Sequence, residues 1–314
     1  MDEDWDILVV LDACRYDYFK EIYQKFFQGN LRKMYSPGSC TIEWCKGTFT
    51  SHYKDTIYVS SNPYINSVIT LAGFNAKEHF EKIIDVWLFG WDLLLGTVPP
   101  QNVNKHLMNL LDRERGKRII VHYLQPHAPY LSLNYFVVGY PVPDLRKKRI
   151  LDGVSSYGKF EEIYRYHRKV EQSLDILSAK LKIGNLWLLK LREHLGMPPA
   201  GPADAVRRKY GISGVRIAYM ENLMVVLETT TKLLSNLSGK IVIVSDHGEC
   251  LGEGGFFEHP SKCRSRILRV VPYFVVRKIL NKNPYRFSKY LIKLKLRLLR
   301  RLMVKNKSAS LKII

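Results

Sequence analysis

The chain has 314 residues, 46% hydrophobic, 12% aromatic and 25% charged, with a formal net charge of +20. That length and apolar content suffice for a sizeable core and exclude a chain disordered over most of its length. No uninterrupted apolar run reaches the roughly 18 residues that a membrane span needs. The charge is unevenly placed. The 53 residues from Lys262 onward hold 17 Lys and Arg and no Asp or Glu, whereas the preceding 261 carry 32 basic and 29 acidic residues. The pattern is a basic tail behind a nearly neutral core.

The N-terminus, Met1-Asp2-Glu3-Asp4-Trp5-Asp6, is acidic and leads straight into an apolar strand. It lacks the basic and apolar regions of a secretory signal, so the expected compartment is the cytoplasm. Cys14, Cys40, Cys45, Cys250 and Cys263 form no CxxC pair and read as free thiols.

In chain order, Ile7–Leu11 is a continuous apolar run that predicts a strand buried on both faces. The aromatic spacing from Tyr16 to Phe27 predicts a helix ending at Gly29. Ile57–Val59 and Arg118–Tyr123 predict further strands. Phe160–Leu181 and Ile217–Leu237 have long helical patterns, with a Pro-, Gly- and Ala-rich loop expected between Gly196 and Gly214. Lys240–Val244 is a fourth strand, and Val270–Val276, interrupted by Pro272, reads as an edge strand. Apolar strands alternating with helices predict an α/β fold. The expected form is a doubly wound, mostly parallel sheet with helices on both faces. Acidic residues vanish after about Pro260, and the expected division is a catalytic unit over 1–276 followed by a basic tail over 277–314.

In such sheets ligands bind beyond the carboxyl ends of the strands. The first strand ends at Asp12, the fourth at Ser245-Asp246-His247-Gly248-Glu249, and the third leads into Gln125-Pro126-His127-Ala128-Pro129-Tyr130. Parallel strands therefore place Asp12, Asp246, His247 and His127 on one edge. Two carboxylates and an imidazole suit a divalent cation and would repel one another without it. A lone Asp after a strand is more often a turn or cap residue, so the weight lies on the coincidence of both strand ends. The glycine of Asp-His-Gly is expected to let the chain turn sharply around the ion. Ser36–Trp44 reads as a turn and helix start, where Ser39 or Thr41 would meet the free N–H groups that favour an anion. Beside a metal such a hydroxyl becomes a nucleophile toward phosphorus or sulfur.

These segments together resemble the alkaline phosphatase and sulfatase superfamily in its sulfatase-like branch, over roughly residues 5–276. Leu11-Asp12-Ala13-Cys14-Arg15-Tyr16-Asp17 and Ser245-Asp246-His247-Gly248-Glu249-Cys250-Leu251-Gly252-Glu253 are the segments most similar to its motifs, and Tyr219–Leu234 resembles the helix before the second. The resemblance implies an alkaline phosphatase-like fold, with Asp12, Asp246, His247 and Thr41 as ligands of one divalent metal ion: zinc, manganese or calcium. It further implies Thr41 as nucleophile, His127 as a contact to the transferred group or proton donor to the leaving oxygen, and His259 as a ligand of the anion or of a second metal. Arg15 would pair with the anionic ester and stabilise developing charge. The formylglycine motif Cys-x-Pro-Ser-Arg is absent, which favours phosphate over sulfate. The nucleophile is open among Ser39, Cys40 and Thr41. The Asp-x-x-x-His of two-metal members is also absent, its Asp replaced near Asn222 or Glu228, and a second metal site stays open.

In the tail, Lys289, Lys293, Arg297, Arg300 and Arg301 oppose Leu291, Leu294, Leu298 and Leu302. This spacing predicts a basic amphipathic helix, suited to an anionic membrane surface through residues 287–305 or to packing on the core. No motif for reading nucleic-acid bases accompanies it. The expected function is metal-dependent hydrolysis of phosphoric or sulfuric esters through a covalent intermediate. The alternative is a non-catalytic or transferase member of the fold that binds an anionic membrane or polymer through its tail.

Overall fold

A computed structural model describes residues 1, 3–111, 114, 116–131, 139–140, 142–143 and 184–280. The helix expected over Phe160–Leu181 and the basic helix over 287–305 lie outside the described residues. The elements in chain order begin with β1 (Ile7–Leu11), α1 (Tyr16–Ile22), β2 (Phe27–Tyr35), α2 (Thr41–Thr48), β3 (Tyr53–Ser60) and β4 (Phe80–Asp85). Next come α3 (Val86–Phe89), α4 (Pro100–Leu111), β5 (Arg118–Tyr123), α5 (Leu186–His194) and α6 (Pro202–Leu234). The described chain closes with β6 (Ile241–Val244), the small hairpin β7 (Cys250–Leu251) and β8 (Phe257–Glu258), α7 (Arg266–Arg269) and β9 (Val270–Ile279).

Seven strands form the main sheet in the order β2-β9-β6-β1-β5-β3-β4. The β1 strand is central, pairing in parallel with β5 (Val9 opposite Val121) and β6 (Val9 opposite Ile243). The β3 strand adds in parallel to β5, and β4 to β3. Only β9 breaks the pattern, running antiparallel to both β6 and β2. The expected α/β class and mostly parallel sheet are therefore present.

The apolar run of β1 is continuous because both faces are covered. Ile7, Val9 and Leu11 face Phe19 and Ile22 of α1, Val103 and Leu107 of α4 and Leu223 and Leu227 of α6. Leu8 and Val10 face Trp44 and Cys45 of α2, together with Phe49 and Tyr58. Alternate residues of one strand thus serve two cores. Each fully buried large apolar side chain contributes roughly 1.5–3 kcal/mol.

Three sequence expectations are corrected by tertiary contacts. The first helix stops at Ile22, and a tight turn over Tyr23–Lys25 leads into β2. Phe27 in β2 packs on Phe274 of β9, so pairing with β9 overrides the helical spacing of the aromatics. The β9 strand is not an edge strand but lies between β2 and β6. Pro272 is accommodated because its pairing with β6 begins only at Tyr273 opposite Val244. This strand also runs beyond Val276 to Ile279. Finally, the Pro- and Gly-rich stretch after Gly201 is a helix start, with Pro202 at the first helical position. Gly211, at φ 68° and ψ −175°, breaks the helical path inside α6.

Candidate active site

The parallel strands deliver Asp12 from the end of β1, Ser61 and Asn62 from the end of β3, Gln125 and His127 from beyond β5, and Asp246 and His247 from beyond β6. Asp12, Asp246 and His247 are buried, and one ligand atom from each lies within 4.8 Å of the others. The His247 Nδ1 atom is 2.8 Å from the Gly248 carbonyl oxygen, which can only accept, so Nδ1 carries the proton. The lone pair on Nε2 then faces Asp246 Oδ2 at 3.3 Å and Asp12 Oδ1 at 3.6 Å. Asp12 Oδ1 has no hydrogen-bond partner although it is buried. Burial, then the facing Asp246 carboxylate, push the Asp12 carboxyl well above the usual range. Burial, with His259 beside it, holds His247 well below the usual imidazole range. Three ligand groups converge and Asp12 Oδ1 is left without a partner, which is the arrangement a divalent cation fits and the protein alone does not satisfy.

Thr41 opens α2, and its hydroxyl donates to Asp246 Oδ2 at 2.8 Å with His247 Nε2 at 3.4 Å. The other two nucleophile candidates are engaged otherwise. Ser39 Oγ lies within bonding distance of the Glu43 carboxylate and the Pro260 carbonyl and accepts from the Cys263 N–H. Burial raises the Cys40 thiol above its ordinary range, away from the reactive thiolate. Asn62 was not found from sequence. Its Nδ2 donates to Asp12 Oδ2 at 2.7 Å and lies 3.4 Å from Thr41 Oγ1, bridging ligand and hydroxyl. Behind it, buried His122 sits 3.7 Å from Asp12 Oδ2, with Tyr58 OH 2.8 Å from its Nδ1.

A second group, His127, Glu249 and His259, also has ligand atoms within 4.8 Å of one another. His259 joins the two groups, its ring centroid 4.3 Å from that of His247 and 5.0 Å from that of His127. Burial opposes a charge on His259, but the Glu249 carboxylate, 3.3 Å from its Nδ1, outweighs this and lifts its pKa to about 9. His127 Nδ1 is 2.6 Å from the Ala128 carbonyl oxygen, its Nε2 is 3.8 Å from Glu249 Oε2, and burial lowers its pKa. Glu249 stands within the Asp-His-Gly-Glu run but received no role from sequence.

Other expectations meet a different geometry. Arg15 is not brought to the ester side. Its guanidinium bonds both Asp17 oxygens at 2.7 and 3.0 Å, Glu253 Oε1 at 2.7 Å and the Glu249 carbonyl at 3.2 Å. Gly248 is needed for close approach rather than for a sharp turn. Its N–H reaches the Leu268 carbonyl at 2.7 Å, and a Cβ would stand 2.1 Å from the Ile267 carbonyl oxygen. Asn222 does not replace a metal ligand. Its Nδ2 donates to the carbonyls of His127 and Pro129 at 3.0 and 2.9 Å, and its Oδ1 accepts from Leu131 N at 2.7 Å, clamping the His127 loop. Glu228 pairs with Lys232 instead.

The backbone after Asp12 is strained, with Ala13 at φ 59°. It is held there by four bonds. The Ala13 N–H donates to Asp246 Oδ1, Cys14 N–H to Ser245 Oγ, and the Tyr219 hydroxyl to the Ala13 carbonyl at 2.7 Å while accepting from Arg15 N at 2.9 Å. Tyr219→Phe leaves two buried backbone groups unpaired. It is expected to lower stability by about 1–3 kcal/mol, read as the shift in a urea unfolding midpoint at constant slope.

The chain is similar to several solved structures. It is 12% identical to the integral membrane protein lipooligosaccharide phosphoethanolamine transferase A from Neisseria meningitidis, with a TM-score of 0.47 over 88% of this chain and 47% of that one. The chain thus spans about half the length of that transferase. With the soluble domain of the same transferase the identity is 12% and the TM-score 0.46, over 86% of this chain and 75% of that domain. With the phosphonate monoester hydrolase of Agrobacterium radiobacter the identity is 13% and the TM-score 0.47, over 86% and 67% of the two chains. No family model matches the sequence. No curated protein matches it either. Among the described residues no helix is long and apolar enough to cross a membrane.

Proposed function

We propose that this chain is a phosphoric ester enzyme of the alkaline phosphatase and sulfatase type, dependent on a divalent cation and acting through Thr41. The observation that carries this reading is the position of one hydroxyl. Thr41 Oγ1 lies at the start of α2, 2.8 Å from Asp246 Oδ2, against the donor set of Asp12, Asp246 and His247. Those three residues, with Thr41, would hold the cation. Two carboxylate oxygens, an imidazole nitrogen and a hydroxyl match zinc or manganese better than a purely oxygen-seeking ion. When bound, the ion supplies Lewis-acid stabilisation of the ester oxygens and favours ionised oxygen nucleophiles.

The residues divide the remaining work. The free N–H groups of the first turn of α2 and the imidazolium of His259 hold the anionic ester. Thr41 Oγ1 attacks phosphorus in line, its proton passing toward Asp246 Oδ2. The bond from phosphorus to Oγ1 forms as the bond to the leaving oxygen breaks, and His259 donates the proton that oxygen needs. Glu249 holds His259 in its charged form, and Asn62 fixes Asp12 beside Thr41. Water or an acceptor hydroxyl then attacks phosphorus, breaks the bond to Oγ1 and returns a proton to the site. The preference for phosphate over sulfate follows from the missing formylglycine motif. The catalytic unit comprises the described sheet and its helices, with the basic segment after it as a separate tail.

The test is turnover of aryl phosphate monoesters, diesters and aryl sulfates by the purified chain, before and after EDTA and after re-addition of zinc, manganese or calcium. Turnover of a phosphate ester, lost on chelation and restored by one ion, is the expected result. Absence of both turnover and calorimetric cation binding would overturn it.

A further inference from the structure

We propose that His122, backed by Tyr58, is a positioning residue for the cation site, holding Asp12 so that its Oδ1 is the oxygen offered to the ion. His122 lies on β5, paired with Val10 of β1 on one side and Ser60 of β3 on the other. Its ring is fully buried, with its centroid 6.1 Å from that of Trp44 and 6.0 Å from that of Tyr58. Both neighbours belong to the apolar layer that α2 covers. A phenylalanine or leucine would fill that layer without burying a polar group, so an imidazole there needs a polar reason.

The ring's neighbours fix where its hydrogen sits. The Tyr58 hydroxyl is 2.8 Å from Nδ1, and a hydroxyl can donate or accept. Nε2 has no hydrogen-bond partner and faces Asp12 Oδ2 at 3.7 Å. A bare lone pair in that place would repel the carboxylate. The favourable arrangement has Tyr58 donating to Nδ1 and the Nε2–H aimed at Asp12. His247 is fixed in the opposite form, because its Nδ1 meets the Gly248 carbonyl oxygen, which can only accept.

The consequence falls on Asp12. Its Oδ2 accepts from Asn62 Nδ2 at 2.7 Å and faces the His122 N–H, whereas Oδ1 has no partner and lies 3.6 Å from His247 Nε2. Both donors stand against one oxygen. The carboxylate cannot turn about its axis without losing them, so the oxygen left bare is the one directed at His247.

At 3.7 Å the imidazole acts as an oriented dipole rather than through a full hydrogen bond. Groups that orient a metal ligand from behind change the affinity by about 10–100-fold when removed. Asn62 shares the same oxygen, so the lower end of that range is expected here. The affinity half of this inference rests on the cation of the proposed function; the placement of the hydrogen does not.

The experiment has two readouts on the full chain. Long-range proton–nitrogen NMR spectra of the metal-free chain, isotopically labelled at histidine, read the tautomers, and the signal missing in His122→Gln identifies His122. Its hydrogen is expected on Nε2, with that of His247 on Nδ1. Calorimetric titration with zinc and with manganese reads the affinity. His122→Phe keeps the ring and removes the N–H, and is expected to bind either ion about tenfold more weakly. Tyr58→Phe, which leaves Nδ1 without a donor, is expected to lose less in the same direction. His122→Gln is expected to stay within about threefold of wild type, because its amide N–H can stand where the imidazole Nε2–H stands. Urea midpoints of the metal-free variants separate lost fold from lost affinity. A hydrogen on His122 Nδ1 overturns the proposal. So does wild-type affinity in His122→Phe, or in Tyr58→Phe should His122→Phe fail to fold, and so does a His122→Gln as weak as His122→Phe. A wild type that binds neither ion, with the Nε2 hydrogen in place, overturns the cation reading and the affinity half with it, and keeps the placement of the hydrogen.

Discussion

Asp246→Asn is expected to cost at least about a thousandfold in kcat/KM and to empty the cation site, with the fold intact. Asp246 Oδ1 accepts from the N–H groups of Ala13 and His247 at 3.0 and 2.9 Å, while Oδ2 takes the Thr41 hydroxyl at 2.8 Å. An asparagine keeps its carbonyl oxygen toward the two N–H groups. Its NH₂ then points at Thr41 and at the bare Nε2 of His247, presenting donors where a cation needs lone pairs. Elemental analysis after dialysis reads the lost metal, and the ester assay reads the lost rate. Metal-free stability gives a third, independent readout. Asp246 is among the causes that raise the Asp12 carboxyl, after burial itself. Removing its charge relieves that repulsion, so the metal-free variant is expected to unfold at higher urea than metal-free wild type. A variant with undiminished metal and rate sinks the ligand assignment.

The strand-end rule explains how much of this site was legible. Asp12, Asp246 and His247 each follow an apolar strand directly, and Thr41 opens a helix after a turn, so spacing alone placed them on one edge. Asn62 obeys the same rule. It stands two residues beyond β3, but the sequence marked that strand only over Ile57–Val59 and no carboxylate or imidazole follows it directly. Glu249 was hidden differently. Its partner His259 arrives across the β7–β8 hairpin, and nothing in a run of sequence shows that two residues ten apart will meet at 3.3 Å. Arg15 misled because nearness to Asp12 in sequence is not nearness in direction. Asp17 and Glu253 turn its guanidinium the other way, where two carboxylates satisfy it more fully than one ester could.

The fold shows the same division between local and distant causes. Strands buried on both faces announced themselves as unbroken apolar runs, β1 and β6 most plainly. The β2 strand did not. Its residues, Phe27-Gln28-Gly29-Asn30-Leu31-Arg32-Lys33-Met34-Tyr35, alternate between sheltered and exposed at the sheet edge and include a glycine and two bases. Its strand character comes from pairing with β9, which lies more than two hundred residues away in sequence.

Thr41→Ala separates the nucleophile from the metal site and is the second large effect. Asp12, Asp246 and His247 keep every oxygen and nitrogen they direct at the cation, so metal content is expected to stay near wild type. The rate is expected to fall by about a thousandfold or more, because Ser39 is engaged with Glu43 and Pro260 and burial raises the Cys40 thiol away from the thiolate. Thr41→Ser restores the hydroxyl at the start of α2 and is expected to recover activity to within about tenfold, the loss reflecting a less constrained rotamer. Cys40→Ser is the control for the neighbouring thiol. Burial keeps that thiol protonated, so its loss is expected to leave the rate nearly unchanged. Intact-mass analysis of acid-quenched enzyme completes the set, with a phosphoryl adduct in wild type and Thr41→Ser and none in Thr41→Ala. If Thr41→Ala turns over at the wild-type rate, the hydroxyl is only a ligand or a cap. The attacking group is then a water molecule held between the two histidine clusters, and a double-displacement mechanism gives way to a single one.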